Sequence, residues 1–246
     1  MDHTELIAGT ARVRELIGLR HEPLAFFYSD QEPTGFTPPV RDSGCLVAVL
    51  RRARQGETVY FDAETTGCQG GTYYLGFREA RPEIAHFVTT GIPGKMEGER
   101  YKASPEVFRA HVAAHPVAPA PARYAVFTPV ATLQETQEPA VIICFAGPDE
   151  LSGLGWLAGF ARSDDVLIAP FGAGCGTIVA YPLAEAQRDL PRAVLGMFDP
   201  SARPYLAPDE LSFAVPVGLW REMLGHAEES FLTRSSWGKI RQRSGH

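Results

Sequence analysis

Two glycine–cysteine stretches constrain this chain most. Gly67-Cys68-Gln69-Gly70-Gly71 lies between the apolar runs Val59-Tyr60-Phe61 and Tyr73-Tyr74-Leu75. Gly172-Ala173-Gly174-Cys175-Gly176 follows Val166-Leu167-Ile168. Each puts a cysteine in glycine-rich backbone just past an expected buried strand. Glycine lets backbone approach closely and adopt positive φ, which suits a bound cluster, anion or cofactor. The pattern points to a cysteine-lined site in a duplicated α/β (or α+β) protein with mixed sheet and helices.

With 246 residues, 45% of them hydrophobic, the chain can bury one large core or two small ones. A net charge of -6 and a pI near 5.7 argue against nucleic acid as the main partner. No stretch reaches the roughly 18 apolar residues of a membrane span. Met1-Asp2-His3-Thr4-Glu5 lacks the basic and apolar regions of a signal peptide. The expected location is therefore the cytoplasm, where thiols stay reduced. Cys45, Cys68, Cys144 and Cys175 form no CxxC pair and no zinc-finger spacing. Buried thiols, metal ligands or a reactive thiol remain open.

Residues 4–17 read as an amphipathic helix with Leu6, Ile7, Val13, Leu16 and Ile17 mostly on one face, stopped by Gly18. Residues 24–28 read as a buried strand and 31–43 as a proline-rich loop. A helix over 45–54, with Cys45 in its first turn, leads to a strand at 58–61. Ser104-Pro105 opens a helix as N-cap and first helical residue, with Val107, Phe108 and Val112 facing inward. Residues 115–121 read as a connector. Strands are expected at 124–127, 140–145, 166–168 and 194–198, and helices at 149–160 and 216–224. In the basic tail, Trp237 and Ile240 are the expected anchors.

Residues 45–68 can be laid on 152–175 without a gap, matching Val59 with Val166 and Cys68 with Cys175. Pro23 and Pro139 each precede an apolar strand ahead of these copies. Two similar halves, 1–120 and 121–246, are therefore expected to pack as one unit about a pseudo-twofold axis. Cys68 and Cys175 would face each other across it with Cys45 beside them. The counterpart of Cys45 is Ser152, so the site would be asymmetric.

The Gly44-Cys45 step, Cys68-Gln69-Gly70-Gly71 with Leu75-Gly76, and Gly174-Cys175 resemble the family known as domain of unknown function 169. So do Glu99-Arg100-Tyr101, Pro148-Asp149-Glu150-Leu151-Ser152 and Asp199-Pro200-Ser201-Ala202-Arg203. The likeness runs from about Leu19 to Arg243. It implies a prokaryotic protein and recurring cysteines at Cys45, Cys68 and Cys175; it implies no reaction.

Three thiolates with no fourth suit a [4Fe-4S] cluster with one iron open, and soft sulfur also suits zinc or copper(I). Backbone N–H groups of Gly70, Gly71, Gly174 and Gly176 would bond to cluster sulfide or to an anion. Arg41, Arg100 and Arg203 would hold an anionic substrate through paired hydrogen bonds, or pair on the surface with Asp42 or Glu99. Asp199 reads as a turn cap. Tyr73, Tyr74, Phe77 and Tyr101 would wall a pocket or simply pack. Cys144, inside Val141-Ile142-Ile143-Cys144-Phe145, reads as a core thiol. The expected function is an iron–sulfur or metal protein acting on a small anion. The alternatives are a non-catalytic small-molecule binding or sensing protein built on glycine loops and arginines, and a thiol enzyme using Cys68 or Cys175. No P-loop, zinc-protease or serine-hydrolase pattern is present.

Overall fold

The computed structural model describes residues 1–39 and 44–243. It is an α/β protein built on one seven-stranded mixed sheet. The strands are β1 (Leu24–Ser29), β2 (Val59–Phe61), β3 (Tyr124–Pro129), β4 (Val141–Ala146), β5 (Leu167–Ile168), β6 (Ala193–Gly196) and β7 (Leu211–Pro216). Their spatial order is β2-β3-β1-β4-β7-β6-β5. Every pairing is antiparallel except β5 with β6.

The strands carry almost continuous apolar runs because both faces of the sheet are covered. Side chains alternate between faces with period two. Leu24, Phe26, Val141, Ile143 and Phe145 enter one core cluster. Ala25, Phe27, Ile142, Cys144 and Ala146 enter the other. The second face is covered by α1 (His3–Ile17), α6 (Pro148–Ala158), α9 (Val217–His226) and α10 (Ser235–Arg243). Asp2 caps α1 in a capping box with Glu5, and Gly18 closes it with φ 83°. Trp237 is buried beside α1, its indole N–H donating to the Leu16 carbonyl. The first face is covered by α2 (Leu46–Arg54), α3 (Gln69–Tyr74), α7 (Gly174–Ile178) and α8 (Ala180–Glu185). A segment holding α4 (Ile84–Phe87) and α5 (Pro105–Ala114) completes the set of helices.

Several expectations are corrected here. The two glycine–cysteine stretches are helix starts rather than open loops, because each cysteine stands at or inside the first turn of α3 or α7. Tyr73 and Tyr74 belong to α3 and not to an extended run. β7 and α8 were not expected at all. Val107 is 48% exposed and does not face inward; α5 lies over the surface and buries only Pro105 fully.

The strands follow a twofold pattern. β1 pairs with β4 at the centre, and from each the order runs outward through one antiparallel neighbour to a second. Leu24 opposes Pro129 as Val141 opposes Pro216, and Val59 opposes Phe127 as Val194 opposes Ala214. The helices break the pattern. α2 follows β1 onto the first face, whereas α6 follows β4 onto the second. The strand register also relates β2 to β6 and not to the residue 166–168 strand. The gapless superposition of 45–68 on 152–175 is thus not confirmed as a duplicated unit. The strand just after residue 120, β3, lies between β1 and β2, with no break in the sheet there.

A buried ion cluster ties α2 to the sheet. Glu210, 2% exposed and next to β7, accepts from Arg54 at 2.8 and 2.9 Å and contacts His21 at 2.5 Å. Desolvation opposes the charge on Glu210, but the hydrogen bonds and charge of Arg54 outweigh it and hold the carboxyl below its usual range. Glu210→Gln leaves Arg54 without its counter-ion and is expected to cost about 3 kcal/mol, measured by urea unfolding. A lowered carboxyl pKa stabilises the fold above the ordinary value of about 4.3 and stops doing so as pH falls through the folded value. The difference between wild type and variant should therefore shrink in acid.

Candidate functional site

Three helix beginnings on the first face bring Cys45, Cys68 and Cys175 together. Cys45 is the N-cap of α2 and Cys68 the N-cap of α3. Cys175 is the second residue of α7. Cys45 and Cys68 are half-buried and Cys175 is 8% exposed. Cys45 and Cys68 lie close enough for each to govern the other's proton. Cys68 and Cys175 flank Gly70: a Cβ placed on that glycine would lie 3.9 Å from each sulfur.

Backbone donors favour negative charge on Cys68. The Gly71 N–H donates to its sulfur at 3.4 Å, and the N–H groups of Gly70 and Leu46 also act on it. Together with the Cys45 thiol, the largest influence, they outweigh desolvation and lower Cys68 to about 6. Cys45 moves the other way, because it keeps the shared proton and is partly desolvated. Burial, then the charges of Cys68 and Asp199, push Cys175 well up. The trio therefore presents one ready thiolate and two thiols that hold their protons until something replaces them.

The glycines divide by role. Gly70 borders the open space between two sulfurs. The others serve close packing: a Cβ on Gly71 would meet Leu46 at 3.2 Å, on Gly174 would meet Ala202 and Met197 at 2.9 Å, and on Gly176 would meet the Tyr74 ring at 2.7 Å. Asp199 caps its own turn by accepting from the Ser201 N–H, and its other oxygen accepts from the Gly174 N–H at 2.9 Å. The 199–206 turn is thereby fastened over the start of α7.

The arginines are placed differently from the thiols. The Arg203 guanidinium donates to the carbonyls of Ala207, Pro208 and Glu210, so it staples its own loop. Arg100 is exposed and has φ 59°. Arg41 lies outside the described residues. Cys144 is 2% exposed on the opposite face of the sheet. Tyr74 packs on α7, and Phe77 and Tyr74 border the first-face core. Tyr101 donates to Glu99 at 3.1 Å.

Tyr181, His111, His115 and Lys102 also line this side and were missed. Tyr181 of α8 stands 6.3 Å, ring to ring, from Tyr74. Burial raises it to about 12. The His111 Nε2 lies 3.3 Å from its hydroxyl. A usable signal was present: His111 and His115 are four residues apart at the end of an expected helix and so share a face.

Among the described residues, no group of three or more His, Cys, Asp or Glu side chains is arranged to hold a metal ion as placed, and no helix is long and apolar enough to cross a membrane. Cys45 and Cys68 influence each other's proton affinity, and the Cys175 sulfur lies across Gly70 from Cys68. Iodoacetamide on metal-free protein is expected to label Cys68 before Cys45, Cys144 or Cys175, since the thiolate is the nucleophile. Its rate should fall as pH drops through about 6, and peptide mapping by mass spectrometry reads both.

No curated protein and no solved structure matches the chain. A family model matches residues 12–226, and its description is DUF169, uncharacterised ArCR. The match covers most of the chain, including all three site cysteines and the segments that carry Tyr74, His111 and Tyr181. The chain belongs to the domain of unknown function 169 family.

Proposed function

We propose that Cys45, Cys68 and Cys175 ligate an iron–sulfur cluster of the [4Fe-4S] class, or failing that a soft metal ion, with one coordination position open to a small anionic substrate. The observation that carries this reading is the meeting of three thiols at three helix beginnings around the methyl-sized gap beside Gly70. Thiolates are the usual ligands of such clusters. The N–H groups directed at Cys68 lower its proton affinity, and ligation would take the protons from Cys45 and Cys175. Three protein ligands leave a fourth corner free. An open iron would act as a Lewis acid toward a bound oxyanion or pass electrons to it.

A second reading, thiol chemistry at Cys68 with Cys45 as its partner, is favoured by the influence of Cys45, which lowers the proton affinity of Cys68. Iron and acid-labile sulfide in protein purified without oxygen separate the two. The cluster reading expects about four of each per chain, with a broad visible absorption, and loss of both in Cys68→Ser and Cys175→Ser. Colourless, metal-free protein whose Cys68 alone is labelled by alkylating agents would sink it in favour of the thiol reading.

Gly70→Ala is a sharper probe. Its methyl would make only ordinary van der Waals contact with both sulfurs, so the metal-free fold should keep its melting temperature. The methyl would occupy the space between two ligands, and bound iron is expected to fall at least several-fold. Unchanged iron content in this variant would place the cluster elsewhere.

A further inference from the structure

Lys102, His111 and His115 form a concentration of cationic groups around Tyr181, whose ring faces Tyr74 of α3. His111 and His115 stack with ring centroids 4.6 Å apart, and His115 lies 5.3 Å from the Tyr181 ring. The Nδ1–H of His115 donates to the His111 carbonyl at 2.9 Å, which leaves its Nε2 free. His111 directs Nε2 at the Tyr181 hydroxyl. The Lys102 ammonium sits 3.9 Å over the Phe171 ring, and Phe171 leads into Gly172. A Cβ on Gly172 would lie 2.3 Å from the Tyr181 hydroxyl oxygen, so glycine is needed for that hydroxyl to stand against the backbone.

Nothing negative balances this group. Among the described residues, no ion pair involves Lys102, His111 or His115. The nearby acids are engaged: Glu99 with Tyr101, and Asp199 with Gly174 and Ser201. Glu106, on the same helix, pairs with Arg109. His111 feels desolvation, then the charges of His115 and Lys102, all of which lower its proton affinity, and no carboxylate offsets them. Three cation-capable groups crowded together, partly desolvated and unpaired, are unusual in a chain of net charge -6. Such a cluster gains most from a bound anion, through charge-assisted hydrogen bonds.

We infer that Lys102, His111, His115 and the Tyr181 hydroxyl form the oxyanion-binding end of the site. The ligand class is a small molecule carrying a carboxylate or tetrahedral oxyanion. This rests on the proposed thiol centre only for what happens to the ligand's other end. Lys102 and the histidines supply charge, and Tyr181 supplies a directional donor. Arg203 is not needed, since its guanidinium is consumed by the carbonyls of its own loop.

Inorganic sulfate, titrated at constant ionic strength against chloride, tests the inference through the histidine ring signals in NMR. The measurement is made below the ordinary histidine pKa, where the rings can charge. His111 and His115 should shift saturably, while His226, on α9 across the sheet, follows only the bulk salt. Lys102→Met should weaken the apparent affinity at least about tenfold, and Tyr181→Phe several-fold, with unchanged melting temperatures. His111→Gln identifies the His111 signal and should abolish saturation at His115. Shifts that stay linear in sulfate, or saturation unaffected by Lys102→Met, would overturn the inference. The readout needs no iron, so an absent cluster and an absent oxyanion site give separate results.

Discussion

Leu24, Phe26, Val141, Ile143 and Phe145 point to one face of the sheet and Ala25, Phe27, Ile142 and Cys144 to the other, so neither face of the central strands can meet water. Helices must cover both sides. The chain meets this by sending α2, α3, α7 and α8 to one face and α1, α6, α9 and α10 to the other. On the first face the beginnings of α2, α3 and α7 carry Cys45, Cys68 and Cys175. A helix beginning is electropositive and rich in unpaired N–H groups. The thiols occupy the place where those groups are concentrated.

Close packing then decides which cysteine does what. Gly71 lets α3 approach Leu46 of α2, and Gly176 lets α7 lie against Tyr74 of α3. These approaches bring the Leu46 N–H to Cys68 as well as those of Gly70 and Gly71. Cys175 ends up deeper and meets fewer donors, so burial dominates it. The same helix contacts carry Tyr181 toward Tyr74, and the surface-lying α5 brings His111 to Tyr181. The thiols and the cationic group therefore belong to one assembly, although residues 102–115 are far in sequence from either end of it.

Much of the architecture was legible in the residues. The periodicity of α1, the Ser104-Pro105 opening of α5, and the apolar runs of β1, β3 and β4 all lie where expected within a few residues. The failures have physical causes. Gly70 and Gly71 each cost a helix about 1 kcal/mol relative to alanine, so residues 67–71 read as loop; contact of Gly71 with Leu46 and of Tyr74 with Gly176 of α7 reverses that. Pro182 reads as a breaker, yet it falls in the first turn of α8, where its missing N–H costs nothing. β7, Leu211-Ser212-Phe213-Ala214-Val215-Pro216, is as long as β1, β3 and β4 but runs directly into α9, so no turn residue marks where the strand ends and the helix begins. The superposition of 45–68 on 152–175 is not confirmed, because α2 and α6 lie on opposite faces of the sheet. A one-dimensional match carries no information about which face of a sheet a helix chooses.

By itself the sequence determined the α/β class, the two cysteines set in glycine-rich backbone, the core role of Cys144 and the family. These depend on local properties: side-chain period, glycine and proline geometry, and motif identity. Only the tertiary structure decided that Cys45 and Cys68 govern each other's proton, that Gly70 alone among the site glycines has room for a methyl group, that Arg203 is tied to carbonyls, and that Lys102, His111 and His115 gather around Tyr181. Each of these is a distance between residues remote in sequence, and such distances are fixed by how helices pack across a sheet rather than by any property of the residues taken singly.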